Sequence, residues 1–198
     1  PDALPILLSL TGHKIYGPKG TGALFIRQGI KITPLLYGGS QEKKRRPGTD
    51  NVAGAVGLAK SLEIAGKRME EDWIKLTELA DYFIDSVLKA IPHVYLNGSR
   101  TNRIPQVCNL SFAGIEGESI LLALDIEGIA CSSGSACTSG ATGPSHVLVA
   151  MGKDRVVSQG AIRFSMGRST TREQLDYVLR VLPTAVERLR SLSPLYKE

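Results

Sequence analysis

The stretch Ser9-Leu10-Thr11-Gly12-His13-Lys14-Ile15-Tyr16-Gly17-Pro18-Lys19-Gly20-Thr21-Gly22 decides how this chain is read. The apolar run Ile6-Leu7-Leu8 precedes it, and Ala23-Leu24-Phe25-Ile26 follows. Short apolar flanks with Gly and Pro between them predict two buried strands bounding a functional loop, with a histidine and a lysine side by side at the turn. A lysine at the mouth of a buried sheet is desolvated, which favours the neutral amine, a nucleophile toward a carbonyl carbon. An ordinary solvated loop would carry the same His-Lys pair, so the stretch needs a partner to mean more. Its glycines do not form a P-loop, because that motif requires Gly-Lys-Ser/Thr at its end and Gly17 is followed by Pro18.

The partner is Cys131-Ser132-Ser133-Gly134-Ser135-Ala136-Cys137-Thr138-Ser139-Gly140. From Ser132 to Gly143 no aliphatic side chain is larger than alanine. A loop of that composition has nothing to pack and is expected to move, which exposes the Cys137 thiol and lets it swing. The alternative is an inert loop cysteine. Cys108, inside Val107-Cys108-Asn109-Leu110, and Cys131, at the end of an apolar run, read as packing residues. A metal site from Cys131, Cys137 and His146 lacks C-x-x-C spacing and a fourth ligand, so no metal is assigned.

Composition narrows the classes. The 198 residues are 42% hydrophobic, ample for a core, and the net charge of +5 is modest enough for anionic small molecules to explain. Three cysteines argue against a disulfide framework and for a reducing, cytoplasmic setting. No stretch is long and apolar enough for a transmembrane helix, and Pro1-Asp2-Ala3 has no signal-peptide character. The run Lys43-Lys44-Arg45-Arg46 fits a solvated loop or a phosphate contact. As a nucleic-acid patch it stands alone without interleaved aromatics, so no nucleic-acid binding is expected.

Further along, Asp50 is expected to cap a helix over Val52 to Ile64 that is rich in small residues, which allow close packing. Met69 to Ala90 reads as a second helix with Trp73, Leu76, Leu79, Ala80, Phe83, Val87 and Leu88 on its core face, ended by Pro92. The composition shift between them suggests domains at 1–65 and 66–198. Strands are expected at Val94 to Leu96, Val107 to Phe112 and Gly128 to Cys131, with a helix at Glu118 to Glu127. Pro144-Ser145-His146 starts a short helix. Arg163 alternates with apolar neighbours in Ala161 to Met166, and an inward arginine needs an anion, either a ligand carboxylate or a salt bridge. Thr170 or Thr171 is expected to cap a closing helix from Glu173 to about Leu192, Thr170 to Glu173 fitting a capping box.

Taken together, the chain resembles the cysteine desulfurases of the NifS/IscS kind, pyridoxal-phosphate enzymes that supply sulfur for iron–sulfur clusters. The resemblance is carried by TGHKIYGPKGTG (Thr11 to Gly22), GGSQEKKRRPGTDN (Gly38 to Asn51), SSGSACTS (Ser132 to Ser139), AIRFSMGRSTT (Ala161 to Thr171) and the tail Leu192-Ser193-Pro194-Leu195-Tyr196. It implies an α/β fold of pyridoxal-phosphate fold type I: the end of the large domain, then the small C-terminal domain carrying the cysteine loop. A family member is longer, with the lysine near its middle, so this chain looks like a C-terminal half. The absent half would hold the aspartate for the pyridine nitrogen, the stacking histidine and a phosphate-binding turn.

The resemblance also implies roles. Lys14 would hold pyridoxal 5'-phosphate and move the substrate's Cα proton, and Cys137 would take the sulfur from L-cysteine, leaving L-alanine. Thr11 and His13 would bond the cofactor phosphate, Thr49 would do so from the other subunit of a homodimer, and Arg163 would hold the substrate carboxylate. Thr11 replaces a commoner serine. Pro47 and the segment Gly140 to Gly143 depart from the usual pattern. The expected partner is an iron–sulfur scaffold or other sulfur acceptor. The alternatives are a selenocysteine lyase or other enzyme of the same cofactor fold, and a half-chain that only docks to a partner.

Overall fold

The computed structural model describes residues 5–133 and 145–196. They fall into two compact units, Pro1–Glu70 and Glu71–Glu198. No helix among the described residues is long and apolar enough to cross a membrane.

In the first unit, β1 (Leu7–Thr11) and β2 (Gly22–Ile26) pair antiparallel, Leu7 opposite Ile26 and Thr11 opposite Gly22. A single 3₁₀ turn, Gly12–Ile15, follows β1, and a four-residue turn, α1 (Gln41–Lys44), whose Glu42, Lys43 and Lys44 lie in the left-handed region, comes after β2. The two strands were expected to be buried and are not: Leu7, Leu8, Leu24 and Phe25 are 46–52% exposed. Cross-strand partners share a face, so Leu8 with Phe25 and Leu7 with Ile26 make both faces of the ribbon apolar. A two-stranded sheet has too little area to bury both faces within one small unit.

The two expected helices are one, α2 (Val52–Ala90). A lone glycine at 66 costs a helix only about 1 kcal/mol, and Glu63 bridges Lys60 (2.9 Å) and Lys67 (2.6 Å) across the preceding turns. The division between the units falls inside this helix, at Glu70/Glu71, whereas composition suggested 65/66. The cap is Asn51 rather than Asp50: its Oδ1 accepts from the Gly54 amide at 3.0 Å.

The second unit is built on a four-stranded antiparallel sheet in the order β3 (Val94–Leu96), β4 (Val107–Phe112), β6 (Ala161–Ser165), β5 (Ser132–Ser133). Its helices are the second part of α2, α3 (Gly117–Ile126), α4 (His146–Ala150), α5 (Arg155–Gln159) and α6 (Arg172–Leu192). Leu76, Ala80, Phe83 and Val87 of α2 meet Cys108, Leu110 and Phe112 of β4, Ile162 and Phe164 of β6, and Leu182 and Val186 of α6 in one core. The Phe83 and Phe164 rings meet edge-on, their centroids 4.9 Å apart. Trp73 and Leu88, expected in this core, are 48% and 40% exposed: Leu88 lies off the stripe that 76, 80, 83 and 87 define, whereas Trp73 continues that stripe one turn before Leu76, the first buried residue on it in this core.

Two boundaries also move. The strand expected at Gly128 to Cys131 is instead the end of α3: Gly128 is left-handed (φ 72°), its amide bonds Asp125 O, and the Ile129 amide bonds Leu124 O, a Schellman closure. The pairing strand begins one residue later, at Ser132. The capping box of α6 is Thr171 with Gln174, since the Thr170 hydroxyl is already accepting from the Gly167 amide at 2.9 Å.

Replacing Phe83 with Ala removes a fully buried ring from the centre of this core. It is expected to cost about 3–5 kcal/mol of unfolding free energy, read by urea denaturation of the second unit's signal.

Candidate active site

Thr11 closes β1, and the next four residues, Gly12–Ile15, form the 3₁₀ turn that carries His13 and Lys14. Tyr16 ends that turn in the left-handed region (φ 63°), where a bulky residue is held only by its surroundings. The holding contacts are the Tyr16 amide and the Gly17 amide, both donating to Gly12 O. The Gly12 amide reaches Thr21 O at 2.9 Å, which ties the start of the loop to its end. Thr11 Oγ1 lies 2.9 Å from His13 Nδ1, so the hydroxyl and the imidazole form one polar pair beside Lys14. His13 and Lys14 are exposed, which corrects the expectation of a desolvated lysine. The cause is the half-exposed ribbon on which the turn sits.

The loop rests on α2. A Cβ at Gly57 would stand 2.6 Å from Pro18 Cγ, one at Gly17 would stand 2.6 Å from Ser61 Oγ, and one at Gly12 would reach Leu58 at 3.5 Å. A Cβ at Gly54 would collide with Thr21 and Asn51. Positions 54, 57, 58 and 61 share one face of a helix, so a single stripe of α2 seats the loop. Composition alone suggested that these small residues serve close packing; the structure shows that their partner is the lysine loop. The spacing 54, 57, 58, 61 was the available signal.

Thr49 is exposed, two residues before the Asn51 cap of α2. Arg46 Nη1 donates to Gly48 O and Thr49 O, both at 3.3 Å, and so closes the turn that presents it. Among the described residues no hydrogen bond joins Thr49 to Thr11, His13 or Lys14 within the unit.

Arg163 belongs to the second unit, in the middle of β6. Its neighbours across the sheet are Asn109 of β4 and Ser132 of β5. The core side of these strands carries Cys108, Leu110, Ile162 and Phe164, so Asn109, Arg163 and Ser132 share the opposite face. Arg163 Nε is buried without a hydrogen-bond partner, and no ion pair to Arg163 exists among the described residues. Asn97, just past β3, donates through Nδ2 to Asn109 Oδ1 and Ser111 Oγ, each at 2.7 Å. This polar row went unread in the sequence, although the alternation of Asn109 and Ser111 with buried neighbours marks it.

Cys137, expected to be the nucleophile, lies outside the described residues. Cys108 is fully buried and Cys131 half-buried, and burial pushes both thiols up from their ordinary range. Neither is a ready thiolate at neutral pH.

Two outcomes follow from this geometry. Ala at position 54 gains about 1 kcal/mol of helix propensity but overfills the seat of the lysine loop, which costs about 1–3 kcal/mol, so Gly54→Ala should lose stability and speed amide exchange at residues 12–21. In a Cys137→Ala chain, alkylation of Cys108 and Cys131 by iodoacetamide should be slow at neutral pH. Its rate should climb only above the pH range of a free thiol, because the raised pKa keeps the protonated form to higher pH.

The model of the aminotransferase class-V family matches residues 2–178. The cysteine desulfurase IscS of Dictyoglomus turgidum is 54% identical over 192 residues, which cover 97% of this chain and 48% of that protein. The cysteine desulfurase IscS of Methanosarcina thermophila is 51% identical over 189 residues, covering 96% and 46%. Among solved structures, a NifS-like protein matches with a TM-score of 0.82 at 33% identity, over 92% of this chain and 47% of that one. The chain thus spans about half the length of the curated relatives it matches. With this coverage, and with the lysine turn and the Arg163 strand as described, the chain belongs to the aminotransferase class-V family and has the α/β fold of its NifS-like members.

Proposed function

We propose that the chain carries the lysine-bearing and sulfur-accepting part of a cysteine desulfurase. The observation that supports it most is the turn that sets Thr11, His13 and Lys14 together, in a chain 54% identical to a protein named cysteine desulfurase IscS. A primary amine beside a hydroxyl and an imidazole is the donor set that an aldehyde carrying a phosphate requires, so these residues fit pyridoxal 5'-phosphate. When bound, that cofactor supplies an electron sink that makes the Cα–H of an amino acid acidic.

The chain's own residues then divide the work. Lys14 Nζ would hold the cofactor through its aldehyde group, and as a free amine it would be the base that takes the substrate's Cα proton. Thr11 and His13 hold the phosphate, and Thr49 does so from a second copy in a homodimer. Arg163, with its Nε left unpaired, takes the substrate carboxylate in the planar geometry a guanidinium favours. Cys137, as thiolate, attacks the substrate sulfur: an S–S bond forms, the substrate's C–S bond breaks, and the carbon skeleton gains a proton to leave as L-alanine. The persulfide passes to an acceptor, an iron–sulfur scaffold being the reading that the IscS relatives favour. A reducing cytoplasm is the compartment that would keep these thiols free.

The test is an absorbance spectrum with added pyridoxal 5'-phosphate, followed by borohydride reduction and peptide mapping. A visible band that is fixed onto Lys14 and lost in Lys14→Ala is expected. Cysteine-dependent sulfide release should fall to background in Cys137→Ala while the band remains. A band that persists in Lys14→Ala would refute the assignment.

A further inference from the structure

Two residues of the lysine loop are left-handed, Tyr16 (φ 63°) and Gly20 (φ 75°). At 20 the chain uses glycine, which enters that region at no steric cost. At 16 it uses a residue whose Cβ crowds the following carbonyl there, so the turn is strained. Gly17, the adjacent glycine, is not left-handed; space demands it, since a Cβ would stand 2.6 Å from Ser61 Oγ. The Tyr16 ring is 64% exposed, so burial within the first unit is not what keeps a large residue at this place.

Anchors on both sides hold the strain in. Before it, the Gly12 amide is tied to Thr21 O at 2.9 Å. After it, Gly17 and Pro18 lie against Ser61 and Gly57 of α2. The Gly17 amide reaches Gly12 O at 2.8 Å because residue 16 is left-handed. Turning 16 to the right-handed region relieves the crowding and breaks that bond, which loosens the turn directly behind Lys14. A strained residue held by its surroundings beside a reactive group is a device for two states.

We propose that Tyr16 is a positioning residue for Lys14: the strain stored at 16 makes the closed turn easy to open, so that the Lys14 amine can serve in two places, one on the cofactor and one at the substrate's Cα. The proposal rests on the desulfurase reading for those two places. The strained turn itself is a property of the loop.

The test compares two substitutions at one position. Tyr16→Gly removes the ring, the Cβ and the strain, whereas Tyr16→Ala removes the ring and keeps the Cβ and the strain. In the 15N-labelled chain, the exchange protection factor of the Gly17 amide is expected to rise by roughly threefold or more in Tyr16→Gly and to stay within about twofold in Tyr16→Ala. The Leu110 amide, in the core of the second unit, should not respond to either.

The second readout is the visible band formed with pyridoxal 5'-phosphate and the rate at which added L-cysteine displaces it. That rate should fall by roughly threefold or more in Tyr16→Gly and stay within about twofold in Tyr16→Ala. A ring used as a contact predicts that the two variants behave alike. A role confined to stability predicts that the Gly17 amide responds and the displacement rate does not. Either result, or a Gly17 amide indifferent to Tyr16→Gly, would overturn the proposal. Absence of a band on Lys14 in the unmodified chain, with the Gly17 amide responding as expected, would overturn the desulfurase reading and the two places with it, while the strained turn stands.

Discussion

The lysine turn lies on α2 because that helix gives it room, and the rest of the first unit depends on this contact. Gly54, Gly57 and Ser61 leave a groove for Thr21, Pro18 and Gly17. The groove has a cost: each interior glycine weakens a helix by up to about 1 kcal/mol. Two local devices offset it. The Asn51 cap contributes about 1 kcal/mol, and Glu63 pairs with Lys60 and Lys67 further along the helix. The packing of Pro18 and Thr21 against the glycines also supports this start of α2.

The second unit solves a different problem. Arg163 is a cation in the middle of β6, and a cation placed on a sheet invites an internal partner. Nearby arginines show what usually happens: Arg103 pairs with Asp81 at 3.1 Å and Arg168 with Asp72 at 2.8 Å. Arg190 is capped by the carbonyls of Ala113, Pro92 and His93. Those arginines fasten elements together and are thereby spent. Arg163 differs in that no acceptor among the described residues reaches its Nε.

Much of this was legible in the sequence, and the misses share a cause. Helical spacing found α3, α6 and the 76–80–83–87 stripe, and the Gly-rich punctuation found the lysine turn. What failed was any inference that required knowing what lies beside an element. The apolar runs around Lys14 looked buried because strands of that composition generally are, yet a two-stranded ribbon cannot cover them. The shift from glycine-rich to amphipathic composition looked like a break between two helices because composition does not register that Glu63 pairs with both Lys60 and Lys67. The cap of α2 slipped by one residue, from Asp50 to Asn51, and the choice left open between Thr170 and Thr171 fell to Thr171, because adjacent residues are equally able to cap and the backbone decides. The Asn97–Asn109 pair was invisible because the two residues meet only through strand register.

Register is also what fixes Arg163. Side chains alternate between the faces of a strand, so a slip of one residue would carry Arg163 into the core and bring Phe164 out. That slip would forfeit the burial of Ile162 and Phe164 against Leu110, Cys108 and Phe83, each large side chain being worth about 1.5–3 kcal/mol. On β4 the same step would expose Leu110 and Phe112 and bury Asn109. The orientation of Arg163 therefore needs no stabilising contact of its own. It is imposed from the other side of the sheet by the apolar residues of the core, which is why Arg163 can lack a partner at its Nε and still hold its place.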